Sequence, residues 1–242
     1  MNNKKKVFVA ALAVCLVAIL SFSTLAWFND SDSVTNNFYV GGDGTDADKI
    51  FNLDVYEQVD EDKDGVADAT IDYDGDSSAD GSRDGEYENV VPGDLLWKKV
   101  YAQNKGSYDQ WVRFKVTFDN ASDWVALEQK YDGFKLYNML MENKTTKLVD
   151  SAKWIFAADE IVLDDAADTV TYVFYYNDVL SAENNKWVYL FHYVQIPTQF
   201  DQHDMVLFAD GKFSMTITGE AVQVDNVGAA NAQEAFEIVN GQ

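Results

Sequence analysis

From Leu95 onward, apolar and polar positions alternate with a period of two. Val112, Phe114, Val116 and Phe118 are interleaved with Arg113, Lys115 and Thr117, so an extended strand here turns one face to a core and the other to water. The same alternation runs through Val170, Tyr172, Phe174 and Tyr176, through Trp187, Tyr189, Phe191 and Tyr193, and through Phe213, Met215 and Ile217. Helical spacing is confined to short, peripheral stretches. One covers residues 120–130, with Ser122 as cap, and the other covers 229–239, where Ala232, Phe236 and Val239 share a face. The two prolines, Pro92 and Pro197, fall between strand candidates, and no repeat of solenoid or propeller period is visible. The pattern predicts an all-β fold, an antiparallel β-sandwich of jelly-roll type with short peripheral helices.

Before residue 95 the pattern changes twice. Val34, Phe38 and Val40 keep strand spacing within a polar stretch that ends at Gly41 and Gly42, which reads as one extended strand on a glycine hinge over residues 27–42. Residues 43–94 then carry eighteen Asp and Glu with repeated Asp-Gly steps. Strand character there is limited to Phe51–Gln58 and Glu88–Val91, so an acidic insertion at about 57–88 is expected within a domain spanning 43–242. Pro92-Gly93-Asp94 closes it as a turn.

Residues 1–26 have the form of an export signal. Lys4, Lys5 and Lys6 precede an apolar run from Val7 to Leu20 and a small-residue exit that places cleavage after Ala26 or Trp27. The run is too short for a stable membrane span, and none is expected after cleavage. Leu12-Ala13-Val14-Cys15 resembles a lipoprotein box, but the apolar run continues past Cys15. Cleavage removes the chain's one cysteine and three of its 18 Lys+Arg, leaving 15 against 41 Asp+Glu, a formal charge of −26. Such a field disfavours nucleic acid and invites divalent cations, and export without disulfides points to the surface or surroundings of a Gram-positive bacterium.

The strongest local motif is Asp60-Glu61-Asp62-Lys63-Asp64-Gly65-Val66-Ala67-Asp68. Asp60, Asp62, Asp64 and Asp68, with the Val66 carbonyl, have the spacing of the first nine positions of a calcium loop, and Gly65 allows its sharp turn. Ile71 stands where the bidentate Glu belongs, and a solvated acidic loop is the competing reading. Asp72, Asp74, Asp76 and the run from Asp80 to Asp84 can extend the site. Calcium is the one cofactor expected.

No catalytic residue is assigned. His192 and His203 are the only histidines and lie eleven apart without a zinc-binding HExxH pair. His192 is expected on the strand face opposite Trp187, Tyr189 and Phe191, and His203 in a loop. Tyr172, Tyr175, Tyr176, Tyr189 and Tyr193 suit either a carbohydrate-binding face or a core, and strand alternation favours core.

Leu25-Ala26-Trp27-Phe28-Asn29-Asp30, then Val34-Thr35-Asn36-Asn37-Phe38, resemble the mature start of the TasA, CalY and camelysin family of Firmicute surface proteins. Val91-Pro92-Gly93-Asp94, Asn104-Lys105-Gly106-Ser107 and Thr216–Gln223 are similar to that family's P-G-D strand, N-x-G-S turn and late strand. The acidic segment departs from TasA. The resemblance implies a SipW-type signal peptidase as export partner and a secreted jelly-roll subunit of biofilm-matrix or cell-surface fibres. Copies would join head to tail as the N-terminal strand of one completes a sheet of the next, with Phe28, Val34, Phe38 and Val40 as anchors at the interface. A monomeric calcium- or glycan-binding adhesin is the alternative, and a camelysin-like metallopeptidase the less favoured one.

Overall fold

The computed structural model describes residues 51–60, 69–72, 87, 90–184, 186–205, 213–225 and 227–241, all within the unit Thr35–Gln242. Among them ten strands form two antiparallel sheets. The first sheet contains β1 (Leu53–Val59), β2 (Ala69–Asp72), β3 (Leu95–Asn104), β5 (Leu140–Met141) and β9 (Trp187–Gln195) in the order β2-β1-β3-β9-β5. The second contains β4 (Gln110–Asp119), β6 (Trp154–Phe156), β8 (Thr169–Tyr176) and β10 (Met215–Gln223) in the order β10-β4-β8-β6, with β7 (Val162–Asp164) also paired to β8. The helices are α1 (Ala121–Lys130), α2 (Gln202–Met205) and α3 (Ala232–Asn240). No helix among the described residues is long and apolar enough to cross a membrane.

The alternating positions of β4 and β8 fill the space between the sheets as the sequence predicts. Val112, Phe114, Val116 and Phe118 are fully buried, and Val170, Tyr172, Phe174 and Tyr176 share their core with Leu53, Val55, Leu96, Val100, Ala102 and Leu190 of the first sheet. The sheets come closest where β10 passes β1. Gly219 is paired with Phe114, and a Cβ added there would lie 2.4 Å from Val55 Cγ2, so a glycine is required. The other face of the second sheet is covered by α3, whose Ala232, Ala235 and Phe236 pack on Trp111, Val173, Tyr175 and Val222. Tyr175 is therefore core on the helix side and Tyr172 and Tyr176 on the sheet side.

Both predicted turns have a physical basis in the structure. At Val91-Pro92-Gly93-Asp94 the Gly93 φ of 94° and the Asp94 N–H to Val91 carbonyl bond (3.1 Å) make the turn in which only glycine is comfortable at the third position. At Asn104-Lys105-Gly106-Ser107 the buried Asn104 amide donates to the Tyr108 and Leu180 carbonyls at 2.8 and 2.9 Å. Its oxygen accepts from Gly106 N–H at 2.9 Å, tying the β3–β4 turn to a distant loop.

Four sequence expectations change. Ser122 does not cap α1 with its hydroxyl; Asn120 enters the helix with φ 54°, and the Asp168 carboxylate accepts from Ser122 N–H at 2.8 Å. Val239 is 44% exposed, and Ala235 takes its place on the buried face of α3, whose cap is Asn231 accepting from Glu234 N–H. The acidic stretch is not all loop, since Glu57–Val59 and Ala69–Asp72 belong to the first sheet. In β9 the inward residues are Val188, Leu190, Phe191 and Val194, whereas Trp187 and Tyr189 face out. Irregular register between β3 and β9, at Trp97/Val100 and Val100/Tyr101, is the cause, because each extra residue reverses the phase of the alternation.

One pair breaks the apolar pattern between the sheets. Glu57, on the inward side of β1, forms an ion pair with Lys98 of β3, and both side chains are buried. Burial pushes the Lys98 ammonium down to about 7, and the carboxylate beside it acts in the opposite sense.

Candidate functional site

The calcium-loop candidate connects β1 to β2. Val59 pairs with Ala69 across the mouth of this hairpin, and the nine residues of the motif lie between them. Asp60 is buried at 5% exposure, while Asp62, Asp64, Val66 and Asp68 lie outside the described residues, as do Asp74 and Asp76. Ile71, at the position where a calcium loop needs its Glu, is committed to β2 opposite Glu57. Among the described residues no group of three or more His, Cys, Asp or Glu side chains can hold a metal. The export signal and the proposed anchors Phe28, Val34, Phe38 and Val40 also lie outside the described residues.

A second feature is the edge formed by β10. All nine residues from Met215 to Gln223 pair with β4 on one side, and among the described residues no strand lies on the other. In the facing sheet β2 extends one strand beyond β1, whereas the second sheet ends at β10, close beneath β1 through Gly219. Natural edges of this length are usually blunted by Lys, Pro or a bulge. β10 has none of these, and its one charged residue, Glu220, is held at 2.5 Å by Arg113 Nε and at 2.7 Å by Lys115 Nζ.

The third feature is on the outer face of the first sheet. Tyr56 of β1 stacks on Tyr101 of β3 at 5.2 Å, and Trp187 and Tyr189 of β9 each lie 5.3 Å from Tyr101. Trp187 and Tyr189 are 43% and 37% exposed. Lys99 Nζ sits 4.5 Å above the Tyr189 ring and Lys105 Nζ 5.1 Å above that of Tyr56, cation–π contacts that hold the ammonium groups at the sheet surface. Beyond this ladder an open groove of about 520 Å³ is lined by Trp97, Lys99, Asn143, Lys144, His192 and Tyr193.

The irregular β3–β9 register puts Trp97, Lys99 and His192 on this one face. His192 is not opposite Tyr189, as regular alternation predicts, but packs against it at 5.3 Å. Its Nδ1–H donates to the Glu142 carbonyl at 2.5 Å, which assigns the proton to that nitrogen and leaves Nε2 as an acceptor in the neutral ring. Burial lowers the His192 pKa below its ordinary value, and nearby Lys99 and Lys153 push the same way against the Glu142 carbonyl. His203 is exposed on α2. Of the five tyrosines considered for a carbohydrate face, Tyr172, Tyr175 and Tyr176 are core, and Tyr189 and Tyr193 belong to the outer surface.

Among the described residues two antiparallel sheets leave the nine-residue β10 at a sheet edge, and the first sheet carries an aromatic, lysine-bearing face. Comparison with protein-family models, curated proteins and solved structures finds no match to the chain in any of the three.

Proposed function

We propose that this chain is a secreted, non-catalytic structural subunit of an extracellular fibre of a Gram-positive bacterium, assembled head to tail by strand donation. The observation that carries the reading is the β10 edge: nine unblunted residues beside which an extended segment can add through backbone hydrogen bonds. The segment proposed to fill it is residues 28–40 of a neighbouring copy, with Phe28, Val34, Phe38 and Val40 as anchors. Donation from copy to copy is a heterologous contact that does not close, and it therefore grows a filament.

The finer fold assignment belongs to the same proposal. The chain crosses from one sheet to the other between β3 and β4, β4 and β5, β5 and β6, β8 and β9, and β9 and β10, which supports a jelly-roll type of sandwich. Calcium held by Asp60, Asp62, Asp64, Val66 and Asp68 would stiffen the β1–β2 hairpin.

Electron microscopy of the purified protein beginning at Trp27, beside a version lacking residues 28–40, tests the reading. Fibres from the first and monomers from the second are expected. A companion experiment mixes Val34→Cys and Thr218→Cys proteins, which on oxidation should yield a disulfide between copies. Persistent monomers from both chain lengths would overturn the proposal.

A further inference from the structure

We propose that the groove formed by Trp97, Lys99, Asn143, Lys144, His192 and Tyr193 binds a carboxylate-bearing saccharide unit of an acidic polysaccharide. The site is complete within one chain and does not depend on the assembly proposed above.

The groove is shallow and open, with about 520 Å³ of space, and its chemistry is mixed in a way that suits one face of a sugar ring. Trp97 and Tyr193 supply flat apolar surface against which the C–H face of a pyranose can stack. Asn143 offers its amide NH2 as a donor, its oxygen being engaged by Thr145 N–H, the Thr145 hydroxyl and Thr146 N–H at 3.0 Å, and His192 offers Nε2 as acceptor because Nδ1–H is already engaged by the Glu142 carbonyl. This combination of ring faces and neutral hydrogen-bonding groups reads the two sides of a saccharide, apolar C–H and polar hydroxyl.

The lysines specify the charge. Lys144 Nζ lies 5.7 Å from the Tyr193 centroid and Lys99 Nζ 4.5 Å from that of Tyr189, each ammonium beside an aromatic face. Lys153 is paired with the Glu142 carboxylate 3.3 Å from its ammonium, which leaves Lys99 and Lys144 as the cations among the groove-lining residues. In a chain with 41 Asp+Glu to 18 Lys+Arg, this concentration of cations is a local reversal of sign, and it complements a carboxylate brought in by the ligand. An acidic peptide, such as residues 60–88 of a second copy, would answer the lysines but not the stacking faces. The aromatic rings therefore favour the saccharide.

The probe is tetragalacturonic acid, titrated into the full chain and followed by tryptophan fluorescence and heteronuclear NMR. Its methyl ester and a synthetic peptide of residues 60–88 serve as comparisons. Saturable binding of the acid with shifts at Trp97, His192 and Tyr193 is expected, and the ester should bind about tenfold more weakly or worse. Tyr193→Ala, and separately Lys99→Gln with Lys144→Gln, should each lose about tenfold in affinity while the thermal midpoint stays near that of the parent. Lack of binding by the acid overturns the proposal. So does unchanged affinity in both folded variants, or tighter binding of the peptide than of the saccharide.

Discussion

Replacing Gly219 by alanine tests the closest approach of the two sheets, and opposing effects must be weighed to obtain its sign. In a strand interior alanine is favoured over glycine by about 0.5–1 kcal/mol because less backbone entropy is lost. Against this, the new methyl would lie 2.4 Å from Val55 Cγ2 and 3.3 Å from Phe114 Cε1. Val55 and Phe114 are 7% and 0% exposed, and a β-branched valine has little rotamer freedom with which to yield. Overpacking of this kind costs about 1–3 kcal/mol, so the clash wins and a net loss of about 1–2 kcal/mol is expected. For a chain of this size that is a fall in thermal midpoint of about 2–8 °C. Urea unfolding followed by the fluorescence of buried Trp124 and Trp154 measures it, with the slope against denaturant unchanged. Val55→Ala alone should cost about 2 kcal/mol through lost burial and a cavity. In the double variant the new methyl at 219 occupies space vacated by the two Val55 methyls, and the losses should fall short of additivity by about 1 kcal/mol or more. A Gly219→Ala protein as stable as the parent, or strictly additive losses, would refute the close approach of β10 to β1.

Two further predictions concern the buried pair and the groove histidine. Glu57→Gln removes the countercharge of Lys98, whose ammonium burial already pushes down to about 7, so the amine sheds its proton. The loss should stay below the roughly 3–5 kcal/mol of an uncompensated buried charge and grow as pH falls below 7, whereas Glu57→Leu with Lys98→Met should be near neutral or stabilising; a milder loss in the single than in the double variant by urea unfolding would contradict the pairing. Because His192 titrates below its ordinary value of 6.5 in the folded protein, the unfolded chain binds more protons between those two values. Stability should therefore fall as pH is lowered through 6.5, with His192→Gln reducing the slope. An NMR titration that gives His192 a midpoint at or above 6.5 would remove the basis for this.

The parts of the fold legible in the sequence are those where alternation is uninterrupted. β4 and β8 have regular strands on both sides, so Val112 to Phe118 and Val170 to Tyr176 followed from period two alone. β9 did not, because Leu190 and Phe191 are both buried where the register with β3 shifts, and a bulge leaves no mark in the polarity of the residues beside it. The same shift concealed the groove. Trp97, Lys99 and His192 belong to two strands more than ninety residues apart, and Lys144 follows a two-residue strand too short to have a period. Tyrosines were visible as candidates, but which of them faced outward depended on α3. That helix covers Tyr175 and the second sheet, and it leaves Tyr189 on the other sheet's outer surface.

The edge and the groove have different consequences in combination than alone. The β10 edge lies at one end of the second sheet and the groove on the outer face of the first, so strand donation at the edge does not consume the groove. Each added copy would then bring one more saccharide site. Binding of a second unit of the same polysaccharide becomes intramolecular, and avidity can exceed single-site affinity by about a hundredfold to ten-thousandfold without any new contact. The prediction is that long polygalacturonate binds assembled protein far more tightly than it binds the version lacking residues 28–40, while tetragalacturonic acid binds both alike. Light scattering and surface-immobilised binding at matched chain concentration distinguish the outcomes. Equal affinity of both forms for the long polymer, with fibres visible by microscopy, would mean that assembly does not present neighbouring grooves to one polysaccharide chain, and the two surfaces would then act independently.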